Sequence, residues 1–373
     1  MTAASSIPFF NYPALFKRDE ENLLSVIRDV LRRGAYILQK DLAEFEANLR
    51  DYLGVKYAFG VADGTNALII GLRAAGIGPG DEVIVPSHTY IASAASIHLV
   101  GATPVLADMG PDHMVDPASV ESRITARTRA VMPVQLNGRT CNMDALSAIA
   151  DRHGLQIVED AAQALGSRFK GRFAGTFGSF GTFSFYPAKV LGCFGDGGAI
   201  VTNDEEVGHN IALLRDHGRD EDGRVVAWGT NSRLDNIQAA VLLYKFRSYD
   251  REIERRREIA RHYQARLSGL NDIALPPGPD DNTDHFDVYQ NYEIEAGRRD
   301  ALRRHLSDNG IGTLIQWNGR PVHHMRELGF ADTPPRTEEF FGRCFMLPMH
   351  TALSDADVER ICDVIHDFYQ RMN

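Results

Sequence analysis

The run Tyr57-Ala58-Phe59-Gly60-Val61-Ala62, followed at once by Asp63-Gly64-Thr65, decides the architecture of this chain. A mostly apolar segment closed by an acid and a glycine reads as a buried strand handing over to a helix. The helix-like segment Thr65 to Ala75 follows, and the alternation then repeats. Glu82 to Val85 reads as a strand, Tyr90 to Val100 as a helix, and Pro104 to Ala107 as a strand. Asp116-Pro117 supplies an N-cap and a first-turn proline for a helix running to Ile124. Arg129 to Leu136 is expected as a strand, Met143 to His153 as a helix, and Leu155 to Val158 as a buried strand ending in Glu159-Asp160. Such alternation implies an α/β fold with a mainly parallel central sheet flanked by helices. In these sheets ligands gather beyond the carboxyl ends of the strands, so residues at those ends are the first candidates for a site.

Further along, Asp235 to Leu267 lacks proline and reads as a long helix or a helix pair, with Asp235 as N-cap. Its charged stretch Arg251 to Arg257 is expected as a solvated face. After the proline- and acid-rich segment Pro276 to Asp284, a strand is expected over Tyr289 to Ile294, with helices over Arg299 to Asn309 and Ser354 to Met372. The division expected is a large domain, residues 1–245, and a smaller α+β C-terminal domain, residues 246–373. A chain of 373 residues with 44% hydrophobic content has material for both cores. The net charge of -10 argues against nucleic acid as the main partner, while a local arginine cluster can still bind a small anion. Four cysteines without a CxxC pair fit a reduced, cytoplasmic protein. Met1 to Pro13 lacks the pattern of a signal peptide, and no stretch is apolar enough to span a bilayer.

The chemistry is concentrated in Ser184-Phe185-Tyr186-Pro187-Ala188-Lys189 and in Gly195-Asp196-Gly197-Gly198-Ala199. A lysine after a Ser-aromatic pair and before a glycine-rich turn suits pyridoxal phosphate (PLP): the amine forms a Schiff base with its aldehyde, and the serine and nearby amides hold its phosphate. Gly64 and Thr65 open a helix whose first amides can face an anion, or else form a simple cap. Tyr90 is either a ring stacked on a pyridine or a core tyrosine. Asp160 ends a buried strand, where a pyridinium nitrogen would be its cationic partner; the alternative is an N-cap for Ala161-Ala162-Gln163. Gln163 bonds a cofactor oxygen or faces solvent. Asn231 and Arg233 are plain loop residues, or a phosphate contact and an anion clamp. No Walker loop, dinucleotide-binding GxGxxG or G-x-S-x-G elbow is present. His323-His324 has no carboxylate partner in place, so no metal is expected.

Together these residues resemble the DegT/DnrJ/StrS family of PLP-dependent sugar-nucleotide aminotransferases, of the fold-type I, aspartate aminotransferase-like class. The likeness runs from about Ile7 to the C-terminus and includes Gly34-Ala35-Tyr36-Ile37-Leu38, Asp63 to Leu68, Gly78 to Ile84, Glu159 to Gln163, Asn231 to Asp235 and Gln238-Ala239-Ala240. The resemblance implies that Lys189 holds PLP and shuttles the proton. It pairs Asp160 with the pyridine nitrogen and Gln163 with the phenolic oxygen, and stacks Tyr90 on the ring. Gly64, Thr65 and Ser184 would bind the phosphate, joined by Asn231 of the neighbouring subunit in a homodimer with shared sites. Tyr36, Arg233, Gln316 and Trp317 would lie toward the sugar nucleotide. L-glutamate is the implied donor and a nucleotide-linked keto-sugar the acceptor, for a glycan such as O-antigen or for a natural product. Members with histidine at the lysine act as sugar 3-dehydratases; this chain keeps Lys189. The motif pattern favours a 3-keto over a 4-keto substrate, with a dehydratase and a non-catalytic regulatory relative as further alternatives. Gln316-Trp317 stands where many members carry His-Tyr, and Gln39-Lys40 where Gly-Pro is commoner.

Overall fold

Long apolar strands need cover on both faces, and the helices between them provide it. In the computed structural model, which describes residues 6–371, seven strands form one sheet. Across the sheet they are Tyr57–Val61, Gly198–Thr202, Phe180–Ser184, Gln156–Asp160, Thr128–Val131, Glu82–Pro86 and Thr103–Ala107. Neighbours run parallel except at Gly198–Thr202, which is antiparallel to the strands on either side. Val83, Ile84, Val85, Val158 and Ile200 are fully buried, as expected of strands covered on both sides. The helices Gly64–Ala74, Met143–His153 and Glu205–Arg215 lie against this sheet.

Two expectations change. The strand expected over Arg129 to Leu136 ends at Val131. Pro133 has no N–H to donate to a ladder, and the chain turns through a short 3-10 segment, Leu136–Gly138, with Asn137 left-handed at φ 55°. The charged stretch at Arg251 to Arg257 is not wholly solvated: Arg256 and Arg257 are buried. Arg256 Nη1 donates to the carbonyls of Tyr289, Gln290 and Met349, and Arg257 to those of Asp287 and Pro279. Burial lowers the Arg256 pKa to about 10. Charge-run reasoning misses this because a guanidinium can satisfy several carbonyls at once. The segment from 236 onward is a pair, Asn236–Phe246 and Tyr249–Leu267, and Asp235 occupies the N-cap position without a side-chain bond.

The helices Tyr12–Arg33 and Lys40–Leu53 precede the sheet. Asn11 caps the first by accepting from the Ala14 N–H, and Gly34 at φ 63° ends it. A second apolar cluster gathers Ile259, Tyr263, Tyr292, Ile294, Phe345, Ile361 and Ile365. It surrounds a three-stranded antiparallel sheet of Ile273–Ala274, Tyr292–Ala296 and Cys344–Leu347. Ile7 joins this cluster from the far end of the chain, bridging to Ile311. The helix Asp355–Gln370 opens on a capping box between Ser354 and Asp357.

Sheet and site meet at Gly198. A Cβ there would lie 2.5 Å from the carbonyl carbon and oxygen of Asp63, so only glycine lets the reversed strand pass beneath the Asp63-Gly64 turn. Gly198→Ala should therefore lower unfolding stability by about 1–3 kcal/mol, read by urea denaturation; an unchanged midpoint would show that the turn yields freely.

Candidate active site

Beyond the carboxyl ends of the parallel strands lies a cavity of about 650 Å³. Its walls carry Asp160 from one strand end, Ser184 from the next, and Lys189 from the loop that follows Ser184. Gly64 and Thr65 enter from the start of the Gly64–Ala74 helix, and Tyr90, Gln163 and Trp317 complete the lining used here. Asp63 both lines the cavity and caps that helix, its Oδ1 accepting from the Asn66 N–H at 2.8 Å. The cap and the anion-facing helix terminus are thus compatible, since capping uses one amide and leaves others free. Gly64 sits so near Ser184 that a Cβ on it would come within 3.0 Å of the Ser184 Cβ. The two residues form a close cradle open to the cavity.

Asp160 is no helix cap: a turn follows it, and it is 5% exposed. Its Oδ2 accepts from Ser93 Oγ at 2.6 Å and its Oδ1 from the Ala162 N–H at 3.1 Å. Ser93 is held in turn by Thr89 Oγ1 at 2.7 Å. Burial raises the Asp160 pKa, opposed by Ser93, by the Ala162 amide and by the charge of Lys189. Burial likewise brings the Lys189 amine down to about 8, against the attraction of Asp160. Desolvation outweighs mutual attraction for both groups, so the carboxylate is short of a cationic partner and the amine is primed as a nucleophile. Tyr90 is 54% exposed at the cavity, which removes its core reading. The amide of Gln163 is oriented by the Asn137 N–H, which donates to Oε1 at 2.8 Å.

Four other sequence candidates stand off this wall. Gln316 is buried and donates from Nε2 to Asn137 Oδ1 at 2.8 Å. Asn231 is exposed on a bridge to Asp216, and Arg233 pairs with Asp216 at 2.7 Å. Tyr36 is half-exposed, and its carbonyl accepts from the Asn236 N–H at 2.9 Å. The His323-His324 pair also differs from expectation, because the fold brings Glu338 to it. Glu338 Oε2 accepts from Nε2 of His323 at 2.8 Å and of His324 at 2.5 Å, while Ser87 Oγ meets His323 Nδ1 at 2.7 Å. These bonds join the segment after Trp317 to the helix Pro335–Arg343.

Sequence reasoning missed Ser93 and Gln290. Ser93 lies one helical turn beyond Tyr90, on the helix Ile91–Leu99, a spacing that places it near the same strand ends. Gln290 donates to the Ala188 carbonyl at 2.7 Å and accepts from the Val190 N–H at 2.8 Å, bracketing Lys189 from across the chain. No local pattern announces that contact.

The residues fit PLP: a buried carboxylate with no ion pair among the described residues, a buried amine of lowered pKa, an aromatic face and a cradle at a helix start. The rate at which the PLP-free protein takes up PLP should rise with pH and level off above about pH 8, because protonated Lys189 cannot attack an aldehyde. Stopped-flow absorbance checks this; a flat profile from pH 6 to 9 would contradict the assignment.

Comparison with known proteins agrees with this geometry. A dTDP-3-amino-3,4,6-trideoxy-alpha-D-glucose transaminase of Streptomyces venezuelae is 43% identical over 98% of this chain and 97% of its own. A UDP-2-acetamido-2-deoxy-3-oxo-D-glucuronate aminotransferase of Pseudomonas aeruginosa is 37% identical over 92% and 95%. The crystal structure of S. venezuelae DesV in complex with a ketimine intermediate superposes with a TM-score of 0.93 at 42% identity, covering 98% of this chain and 99% of that one. Residues 17–366 match a single family throughout. The chain belongs to the DegT/DnrJ/EryC1/StrS aminotransferase family.

Proposed function

We propose that this protein is a PLP-dependent aminotransferase that moves the amino group of L-glutamate onto a nucleotide-linked 3-keto sugar. The observation that carries the reading is the burial of the Lys189 amine and the Asp160 carboxylate on one cavity, each with its pKa moved by desolvation. When bound, PLP supplies an aldehyde that captures amines and a protonated ring that accepts electrons. Asp160, steadied by Ser93 and the Ala162 amide, would hold the ring N–H and so gain a directly bonded cationic partner. Gly64, Thr65 and Ser184 bind the phosphate through amides and hydroxyls. Tyr90 would cover the ring, and Gln163 would donate to the phenolic oxygen, its own carbonyl being already engaged by Asn137. Lys189 Nζ takes the proton released from the glutamate α-carbon. L-glutamate leaves as 2-oxoglutarate, and the sugar carbonyl carbon becomes the amine-bearing carbon. The 3-amino and 3-oxo sugar names of the two relatives support C3 over C4.

The same reading takes residues 1–245 and 246–373 as two lobes, with Ile7 reaching the second. It takes the active form as a cytoplasmic homodimer with shared sites. Tyr36, Asn231 and Arg233 do not line their own cavity, and Tyr36 adjoins the half-exposed Ile37 and Leu38 in the chain, a placement suited to serving a second copy's cavity. Trp228, 92% exposed between Val226 and Asn231, is an aromatic anchor waiting for cover.

Four measurements test this. Addition of L-glutamate to the PLP-loaded protein should replace its visible absorbance by a near-ultraviolet band; persistence of the visible band would exclude glutamate as donor. Lys189→Ala should lower turnover by about a thousandfold or more while keeping the same sedimentation. Trp228→Glu should weaken self-association by about tenfold or more, measured by analytical ultracentrifugation; an unchanged dissociation constant would remove Trp228 from the interface. Amination of 3-keto and 4-keto substrates, compared side by side, decides the regiochemistry.

A further inference from the structure

Asn137 does not line the cavity, yet it bonds Gln163, which does, and Gln316, the chain neighbour of Trp317, which also does. Its backbone is left-handed (φ 55°, ψ 12°), which turns its N–H toward Gln163 Oε1 at 2.8 Å. Its side chain meets three further residues. Oδ1 accepts from Gln316 Nε2 and from Asn291 Nδ2, each at 2.8 Å, and Nδ2 donates to Glu293 Oε2 at 2.8 Å. Two donors on Oδ1 fill its acceptor capacity, so few other residues can take this place. Aspartate would set a second carboxylate against Glu293, and a side chain ending in methyl groups would leave the buried Gln316 amide unpaired.

Glu293 makes the node rigid. Burial works against its charge, but the hydrogen bond from Asn137 and the nearby imidazoles of His88, whose Nε2 lies 3.4 Å away, and His113 hold its pKa below the usual carboxylate range. A donor to an ionised, buried acceptor is stronger than a neutral pair. Gly138, at φ 89°, lets the turn press on the facing segment: a Cβ there would come within 2.7 Å of the Gln290 nitrogen. On the other side, Gln316 is joined directly to Trp317, which lines the cavity with its backbone also left-handed at φ 50°. A residue in that conformation needs its neighbours held, and Gln316 is held by Asn137.

We infer that Asn137 is a positioning residue that fixes, through its backbone, the Gln163 amide on the cofactor side and, through its side chain, the Trp317 ring on the sugar side. The naming of those two sides rests on the proposed function; the linkage rests on the chain's own bonds. The two arms can be separated. Asn137→Gly keeps the left-handed turn and its N–H but removes the side chain, so it releases only Trp317. Asn137→Val disfavours the positive φ as well, so it also loosens Gln163.

The chain has two tryptophans, so in a Trp228→Phe background the emission of the PLP-free protein reports Trp317 alone. Asn137→Gly should red-shift that emission by several nanometres and raise its quenching by acrylamide. After PLP loading, the pH midpoint of the visible band should match the parent for Asn137→Gly. It should rise by about one pH unit for Asn137→Val, as expected when a donor to a phenolate is lost. Unchanged Trp317 emission in Asn137→Gly would overturn the sugar-side arm, and an unchanged midpoint in Asn137→Val the cofactor-side arm. A parent protein that takes up no PLP would instead sink the proposed function and the cofactor-side arm together; the fluorescence comparison would still decide the other.

Discussion

Removal of water from the Lys189 amine and the Asp160 carboxylate is the constraint on which the rest of the site depends. Neither group would be placed in a protein interior for stability alone, because desolvation exceeds what their mutual attraction returns. Their burial requires a scaffold that holds both against relaxation. The parallel strands do so for Asp160, which sits at a strand end with Ser93 and the Ala162 amide on its oxygens. Lys189 has no strand of its own, and its loop is bracketed by Gln290 from a distant part of the sequence.

That bracket draws the second apolar cluster into the chemistry. Arg256 and Arg257 tie the helix Tyr249–Leu267 to the segment 287–290 through backbone carbonyls. The next residues, Gln290, Asn291 and Glu293, then reach toward Lys189 and Asn137. Buried guanidiniums serve here as multi-donor struts rather than surface charges. Loss of such a strut leaves several carbonyls unpaired at once, so Arg256 and Arg257 are held inside while Arg251, Glu252, Glu254 and Arg255 stay at least partly exposed.

Most of the sheet is legible because its signals are local. The apolar runs at Tyr57, Glu82 and Leu155, each closed by an acid, proline or glycine, mark strands and the ends where ligands gather. Asp160 stands at such an end, while Ser184 and Lys189 stand at and beyond the end of the neighbouring strand Phe180–Ser184, so the sheet order brings the three together. The strand after Arg129 is shorter than its apolar pattern, which continues through Pro133 to Leu136, because the missing N–H of proline stops the ladder. Glu338 went unseen beside His323-His324 because it comes from a helix fourteen residues on, outside any motif window.

The sequence by itself determined most of the alternation of strands and helices, the candidate site residues and the family, since each is written in short contiguous stretches whose physics is local. Only the tertiary structure decided how those residues are made to act. Tyr90 became a cavity residue and Gln316 a buried support; Asn231, Arg233 and Tyr36 fell outside their own cavity. Ser93, Gln290 and Asn137 acquired partners that lie tens to hundreds of residues away. Such contacts are chosen by packing and by the need to pair every buried polar group, and that need exists only once the chain has closed on itself.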